Sequence, residues 1–257
     1  DALPIFTPAQ DDSRLTAGLM WQTVERTAQD LGLDTEVTAF CPRQDNVEIL
    51  CITVRNQQEQ PRWLTPIAAV PLYGRSADNI RDHRNVTSML HRIWTTENGV
   101  MVRPTMSFDE RGHRPNHKVY YVEGFGPEGQ KPEAFYPTVE SFLGEGGTYL
   151  HPRAVYEQYP GVKAGSRAEG REAMGAFRFP AITLAPGQEA HYVLLLGVED
   201  SEEAVNAIWD KYHSWEQVQA VLDETRSYWK EKVNVSFRTG DPDFDNLMKW
   251  VCFQPFL

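Results

Sequence analysis

The spacing of apolar residues changes once along the 257-residue chain, near Val198, and that change constrains the fold more than any other feature. Before it, apolar positions recur every second residue in short runs separated by Pro, Gly and Asn, the pattern of strands with one buried face. After it the spacing lengthens to three or four residues, the pattern of amphipathic helices. The chain therefore reads as mainly β, a large β-sandwich over 1–199 followed by a helical linker over 200–240.

Val47 to Val54 is apolar on both faces through its middle, which predicts a central strand covered on two sides. Asn56 to Gln60 forms a polar turn. The run from Trp63 to Tyr73 contains Pro66 and Pro71, which lack backbone donors and push it to a sheet edge or a bulge. Ala176 to Leu184 aligns Phe177 with Phe179 and slips register near Pro180, so a bulged strand is expected. A Pro186-Gly187 turn then leads into Ala190 to Val198, completing an expected hairpin. The glycine-rich stretches 144–147 and 161–175 lack the strand and Gly-Lys context of a phosphate-binding loop and read as surface loops.

Beyond Val198, Asp200 and Glu203 stand at capping-box spacing before the ladder Val205, Ile208, Trp209, Tyr212. Ser214 and Gln217 repeat that spacing before Val218, Val221 or Leu222, Thr225 and Trp229. A short strand-like segment, Val233 to Phe237, precedes Asp241, an N-cap with Pro242 at the first helical position. The third helix carries Phe244, Leu247, Met248 and Val251, and it runs into Trp250, Phe253, Phe256 and Leu257. This apolar end is expected to be exposed unless a further domain follows.

Twenty-five basic against thirty-six acidic residues give a net charge of −11, which repels nucleic-acid backbones and anionic lipid surfaces. No apolar run approaches the roughly 20 residues of a membrane helix. The start, Asp1-Ala2-Leu3-Pro4, has no basic head or apolar core of a secretion signal. Cys41, Cys51 and Cys252 show no metal-ligand spacing, so no metal site is expected and a reducing, cytoplasmic location is. Seven Trp, ten Tyr and twelve Phe suit a heavy β core or a sugar-stacking surface.

A polar stretch from Arg75 to Tyr121 holds four of the seven histidines. Within it, Arg111, His113, Arg114, His117 and Lys118 cluster on a Pro- and Gly-containing loop. Clustered cations and imidazoles suit a phosphate or a hydroxyl-rich sugar, although a solvated turn or a domain contact would look the same. His83 and His91 fit structural histidines at a sheet edge better than ligand contacts. The carboxylate groups Asp109-Glu110 and Glu169 with Glu172 could serve acid–base chemistry, but nothing local raises a carboxyl pKa toward neutrality. No nucleophile motif is present.

Several segments, in order, resemble one family. Arg81-Asp82-His83-Arg84 with Val86 to Leu90, Phe142-Leu143-Gly144 and His151 to Val155 are similar to the amino-terminal domain of inverting β-glycoside phosphorylases of glycoside hydrolase family 94 and its sister families. Ala176 to Phe179, Leu184 to Glu189 and Tyr192 to Gly197 resemble that domain's last hairpin. Asp245 to Trp250 with Gln254-Pro255 resembles the junction where the family's (α/α)6 barrel begins, so 241–257 would open a barrel lying outside this chain.

The group includes cellobiose, laminaribiose and chitobiose phosphorylases and the β-1,2- and β-1,3-glucan phosphorylases. The resemblance implies phosphorolysis with inversion to α-glucose 1-phosphate, with inorganic phosphate as co-substrate and no other cofactor. A single carboxyl acid suffices because phosphate replaces the attacking water and its base. It implies a homodimer, and a role for the Arg111 to Lys118 loop beside a neighbouring active site. No residue of this sequence carries over as catalytic. Departures at 111–126 and 161–175 from the disaccharide enzymes favour a longer β-glucan oligosaccharide. The alternatives are a stand-alone carbohydrate-binding sandwich, stacking sugars on Trp63, Trp94 or Tyr149, and a dimerisation module.

Overall fold

The computed structural model describes residues 12–74, 87–109 and 112–256. Its centre is a nine-stranded antiparallel sheet. In spatial order this runs β1 (Ser13–Gly18), β2 (Trp21–Ala28), β3 (Leu33–Phe40), β4 (Val47–Asn56), β16 (Glu189–Glu199), β11 (Val119–Phe125), β8 (Gly99–Pro104), β7 (His91–Thr95) and β13 (Arg167–Glu169). A three-stranded sheet, β12 (Ala134–Thr138), β14 (Ala173–Arg178) and β6 (Ile67–Leu72), covers one face. Two ribbons complete the β structure, β5 (Arg62–Leu64) with β15 (Ile182–Leu184), and β9 (Met106–Asp109) with β10 (Gly112–Pro115).

The doubly apolar strand is β4, and it sits between β3 and β16 as expected. Side chains alternate across a pleated strand, so its two apolar sets serve two cores. Val47, Ile49 and Cys51 join Val193, Leu195, Tyr121 and Phe125 under the helices. Leu50, Ile52 and Val54 pack with Tyr192, Leu194, Phe135 and Phe177 toward the small sheet. Each large apolar side chain buried in these layers contributes on the order of 1.5–3 kcal/mol. The sheets approach so closely that a Cβ at Gly175 would lie 2.6 Å from Val122 Cγ2. A third cluster, Tyr136, Phe142, Ala154, Met174 and Ala176, packs α1 (Val139–Leu143) and α2 (Arg153–Tyr156) against the small sheet.

The helices begin where their caps stand. α3 (Glu202–Tyr212) is capped by Ser201, whose hydroxyl accepts from Ala204 N, rather than by Asp200. α4 (Trp215–Lys232) is capped by Ser214, accepting from Gln217 N as the spacing predicts. α5 (Pro242–Phe253) has Asp241 as its cap, accepting from Asp243 N and Phe244 N, with Pro242 at the first helical position. Val205, Ile208, Tyr212, Val218 and Leu222 are buried on the nine-stranded sheet, so α3 and α4 share one core with it. Asp45 fastens the loop after β3 to this layer, accepting from Lys211 Nζ and Tyr212 Oη at 2.5 Å each. Burial alone would raise the Asp45 pKa, but these two hydrogen bonds and the Lys211 charge hold it below the ordinary value.

Several local expectations are corrected. Ala176 to Leu184 is not one bulged strand, because the chain breaks at Phe179 to Ala181 and β14 and β15 pair with different partners. Phe177 and Phe179 nevertheless meet edge to face at 5.5 Å, both buried. The Pro186-Gly187 turn closes with Gln188 N donating to Ala185 O, yet β15 and β16 lie in different sheets and form no hairpin. The polar stretch contains β7 and β8, whose Ile93, Val100, Met101 and Val102 are fully buried. β13 occupies part of the expected 161–175 loop. Val233 to Phe237 forms no strand. Phe253 is buried edge to face on Trp229 at 4.9 Å, while Phe244, Leu247, Trp250 and Phe256 are exposed.

Candidate functional site

The cationic loop is built on strands. β8 and β11 pair through Tyr120↔Val102, and Asn116 N donates to Thr105 O beyond their ends, so β9 and β10 continue the same hairpin as a separate ribbon. The register sets His113 opposite Phe108 and Arg114 opposite Ser107, and alternation directs His113 and Arg114 to opposite faces. Gly112 has φ +100°, a backbone conformation that L side chains rarely adopt. Asn116, nearly buried, pins the base: its Nδ2 donates to Ser107 Oγ at 2.8 Å and its Oδ1 accepts from Lys118 N at 2.9 Å.

His113, Arg114 and His117 are exposed on this ribbon. Lys118 is paired through Nζ with Asp200 Oδ1 at 2.5 Å, which ties the ribbon base to the segment entering α3 and raises the Lys118 pKa. Arg111 lies outside the described residues, as do Arg81, His83, Arg84 and Glu110. The ribbon thus presents two imidazoles and a guanidinium to solvent, groups that donate hydrogen bonds to phosphate or hydroxyl oxygens.

Other candidates from the sequence lie away from the ribbon. His91 is buried, with Nδ1 3.1 Å from Arg171 O. Glu169 is exposed and pairs with Arg92 at 3.5 Å. Burial pushes the Cys51 thiol up to about 12, which leaves it inert as a nucleophile at neutral pH. No group of three or more potential metal ligands occurs among the described residues.

One carboxyl escaped the sequence reading. Glu123 is 1% exposed on β11, and burial pushes its pKa up to about 7 against the opposing hydrogen bond from Thr96 Oγ1 at 3.0 Å. Its other oxygen has no partner among the described residues. The signal was its position in Val119, Tyr121, Glu123, Phe125, an alternation whose other members are all buried in one core. Burial in this core is the largest cause of its raised pKa, with the Glu202 charge adding to it.

A family model described as the supersandwich domain of glycosyl hydrolase 94 matches residues 4–215. The chain belongs to that family. The nine-stranded and three-stranded sheets are its supersandwich, and the match runs through α3 to Trp215 at the start of α4. Comparison with curated proteins finds no match. Among solved structures, a bacterial glucoamylase complexed with acarbose aligns at 10% identity with a TM-score of 0.46, covering 86% of this chain and 29% of that one. A polysaccharide lyase aligns at 9% identity and TM-score 0.37, over 71% of this chain and 22% of that one. A heparinase III gene product aligns at 9% identity and TM-score 0.35, over 75% and 22% respectively. The family 94 chain spans less than a third of each of these structures.

Proposed function

We propose that this chain is the non-catalytic sandwich and linker portion of a β-glucan oligosaccharide phosphorylase. The enzyme cleaves a β-1,3 or β-1,2 linkage with inorganic phosphate and inversion, releasing α-glucose 1-phosphate. The observation that carries this reading is the supersandwich match over residues 4–215. The catalytic acid and the phosphate site belong to an (α/α)6 barrel outside this chain, and the apolar residues Phe244, Leu247 and Trp250 on α5 form the side that meets it.

In this reading the protein works in the cytoplasm as a homodimer. The ribbon reaches a neighbouring active site, where His113, Arg114 and His117 donate to phosphate or sugar oxygens. Lys118, held by Asp200, fixes its base. The test is to incubate the longer, barrel-containing protein with β-1,3- and β-1,2-glucan oligosaccharides in phosphate buffer and follow the products by proton and phosphorus NMR. α-Glucose 1-phosphate as the first-formed product is expected. Free glucose oligosaccharides without sugar phosphate, or the β-anomer, would overturn the reading.

A further inference from the structure

The helical layer does not cover the whole of its face of the nine-stranded sheet. The buried core beneath α3 and α4 draws on β3, β4, β16, β11 and Met101 of β8, and Trp94 of β7 packs at its border. Beyond Trp94, a cleft of about 700 Å³ opens over β8, β7 and β13, within the size range of small-molecule sites. Cross-strand register arranges its floor. Arg103, Arg92 and Glu169 stand side by side in one row, and Trp94 and Arg167 in the next. Thr96 and Glu97 line one end, and Glu202 at the start of α3 lines the wall.

Two features of this floor make poor sense as packing alone. Arg92 and Arg103 are directly opposite across β7 and β8, a like-charge pairing that destabilises a sheet. Arg92 finds Glu169 at 3.5 Å, but among the described residues neither Arg103 nor Arg167 has a salt-bridge partner, and Arg103 lies over the Trp94 ring at 5.9 Å. Trp94 Nε1 is buried with no acceptor among the described residues, so the ring rather than this donor is what the cleft offers. Three arginines share the lining with Glu97, Glu169 and Glu202, and Glu97 is itself paired with Lys131, so the cleft offers both donors and acceptors. An indole surrounded by guanidinium donors and carboxylate acceptors matches a ligand that has an apolar ring face and a rim of hydroxyls which both donate and accept.

We propose that this cleft is a second carbohydrate site, separate from the ribbon, that holds a neutral oligosaccharide chain against Trp94 through Arg103, Arg167 and the Arg92–Glu169 pair. The choice of a β-glucan as the chain rests on the proposed function, whereas the site itself rests on the cleft. Such a site would hold the polymer while its end is cleaved elsewhere. It would favour long over short substrates by raising the local concentration of chain ends.

The experiment uses the 257-residue chain with soluble β-1,3- and β-1,2-glucan oligosaccharides as probes. Titrations are followed through the indole N–H signals, with that of Trp94 assigned from Trp94→Phe, and through retardation in glucan-containing gels. A saturable shift of the Trp94 signal with one glucan is expected. Replacing the exposed Arg103 and Arg167 together by Ala should weaken it by about tenfold or more without lowering the unfolding midpoint, from the loss of charge-assisted hydrogen bonds. No shift with either glucan, an equal shift in the double variant, or a shift produced only by inorganic phosphate would each overturn the proposal. Phosphorolysis by the longer protein is measured separately on a short oligosaccharide. Cleft binding without phosphorolysis sinks the functional reading alone, and phosphorolysis without cleft binding sinks the cleft alone.

Discussion

Glu123 carries an acidic side chain into a core that is otherwise apolar. Its folded pKa, raised by burial from 4.5 to about 7, means that the folded chain keeps a proton which the unfolded chain releases between those values. Stability therefore falls as pH rises through that interval and levels off above about 7, with a total penalty of about 3 kcal/mol. Glu123→Gln keeps the shape and removes the charge. It should match the parent near pH 4 and exceed its stability by roughly 2–3 kcal/mol at pH 8, measured by urea unfolding across that range. Equal pH dependence in the two proteins would contradict this account. At this scale the sequence was partly legible. Asp241, Pro242 and Ser214 announced their helices because capping depends only on neighbours within three residues. Glu123 was missed because its burial depends on α3, some eighty positions away in the chain.

At the scale of elements, strand and helix periods could be read, but sheet membership could not. β4 pairs with β16 through contacts such as Cys51 with Val193, far apart in sequence, and nothing local encodes such a partner. The same limit explains β15. Its turn into β16 was visible in Pro186-Gly187, while its departure to β5 was set by which sheet buries Leu184. Short strands such as β7 were hidden because Arg92 and Trp94 line the cleft and the buried face, His91, Ile93 and Thr95, holds a single aliphatic side chain as a strand signal. The cationic cluster was recognised by composition, but its form as a continuation of the β8–β11 hairpin came from pairing. The helical layer gives a direct test. Leu222 on α4 is 3% exposed and packs on the sheet. Leu222→Ala should cost about 3 kcal/mol in chemical unfolding as one cooperative transition with the sheet. An unchanged sheet transition, with α4 lost separately, would mean that the helices are a detachable linker.

For the whole molecule, a sheet covered on one face by a smaller sheet and on the other by two helices solves the burial problem of a strand apolar on both faces. The part of one face that the helices leave open is where a cleft can form, and the ribbon extends from an end of the same sheet. The candidate residues thus sit on extensions and uncovered strands while β4, β16 and β11 supply the frame. Family membership agrees with this architecture through the supersandwich match. The central claim, that this chain supports phosphorolysis performed elsewhere in the protein, is tested most directly by phosphate release from α-glucose 1-phosphate with β-glucan acceptors. The 257-residue chain is compared with the same chain extended by a barrel-sized segment. Activity in the extended protein alone is predicted, whereas activity in the short chain, or in neither with both linkages offered, would contradict it.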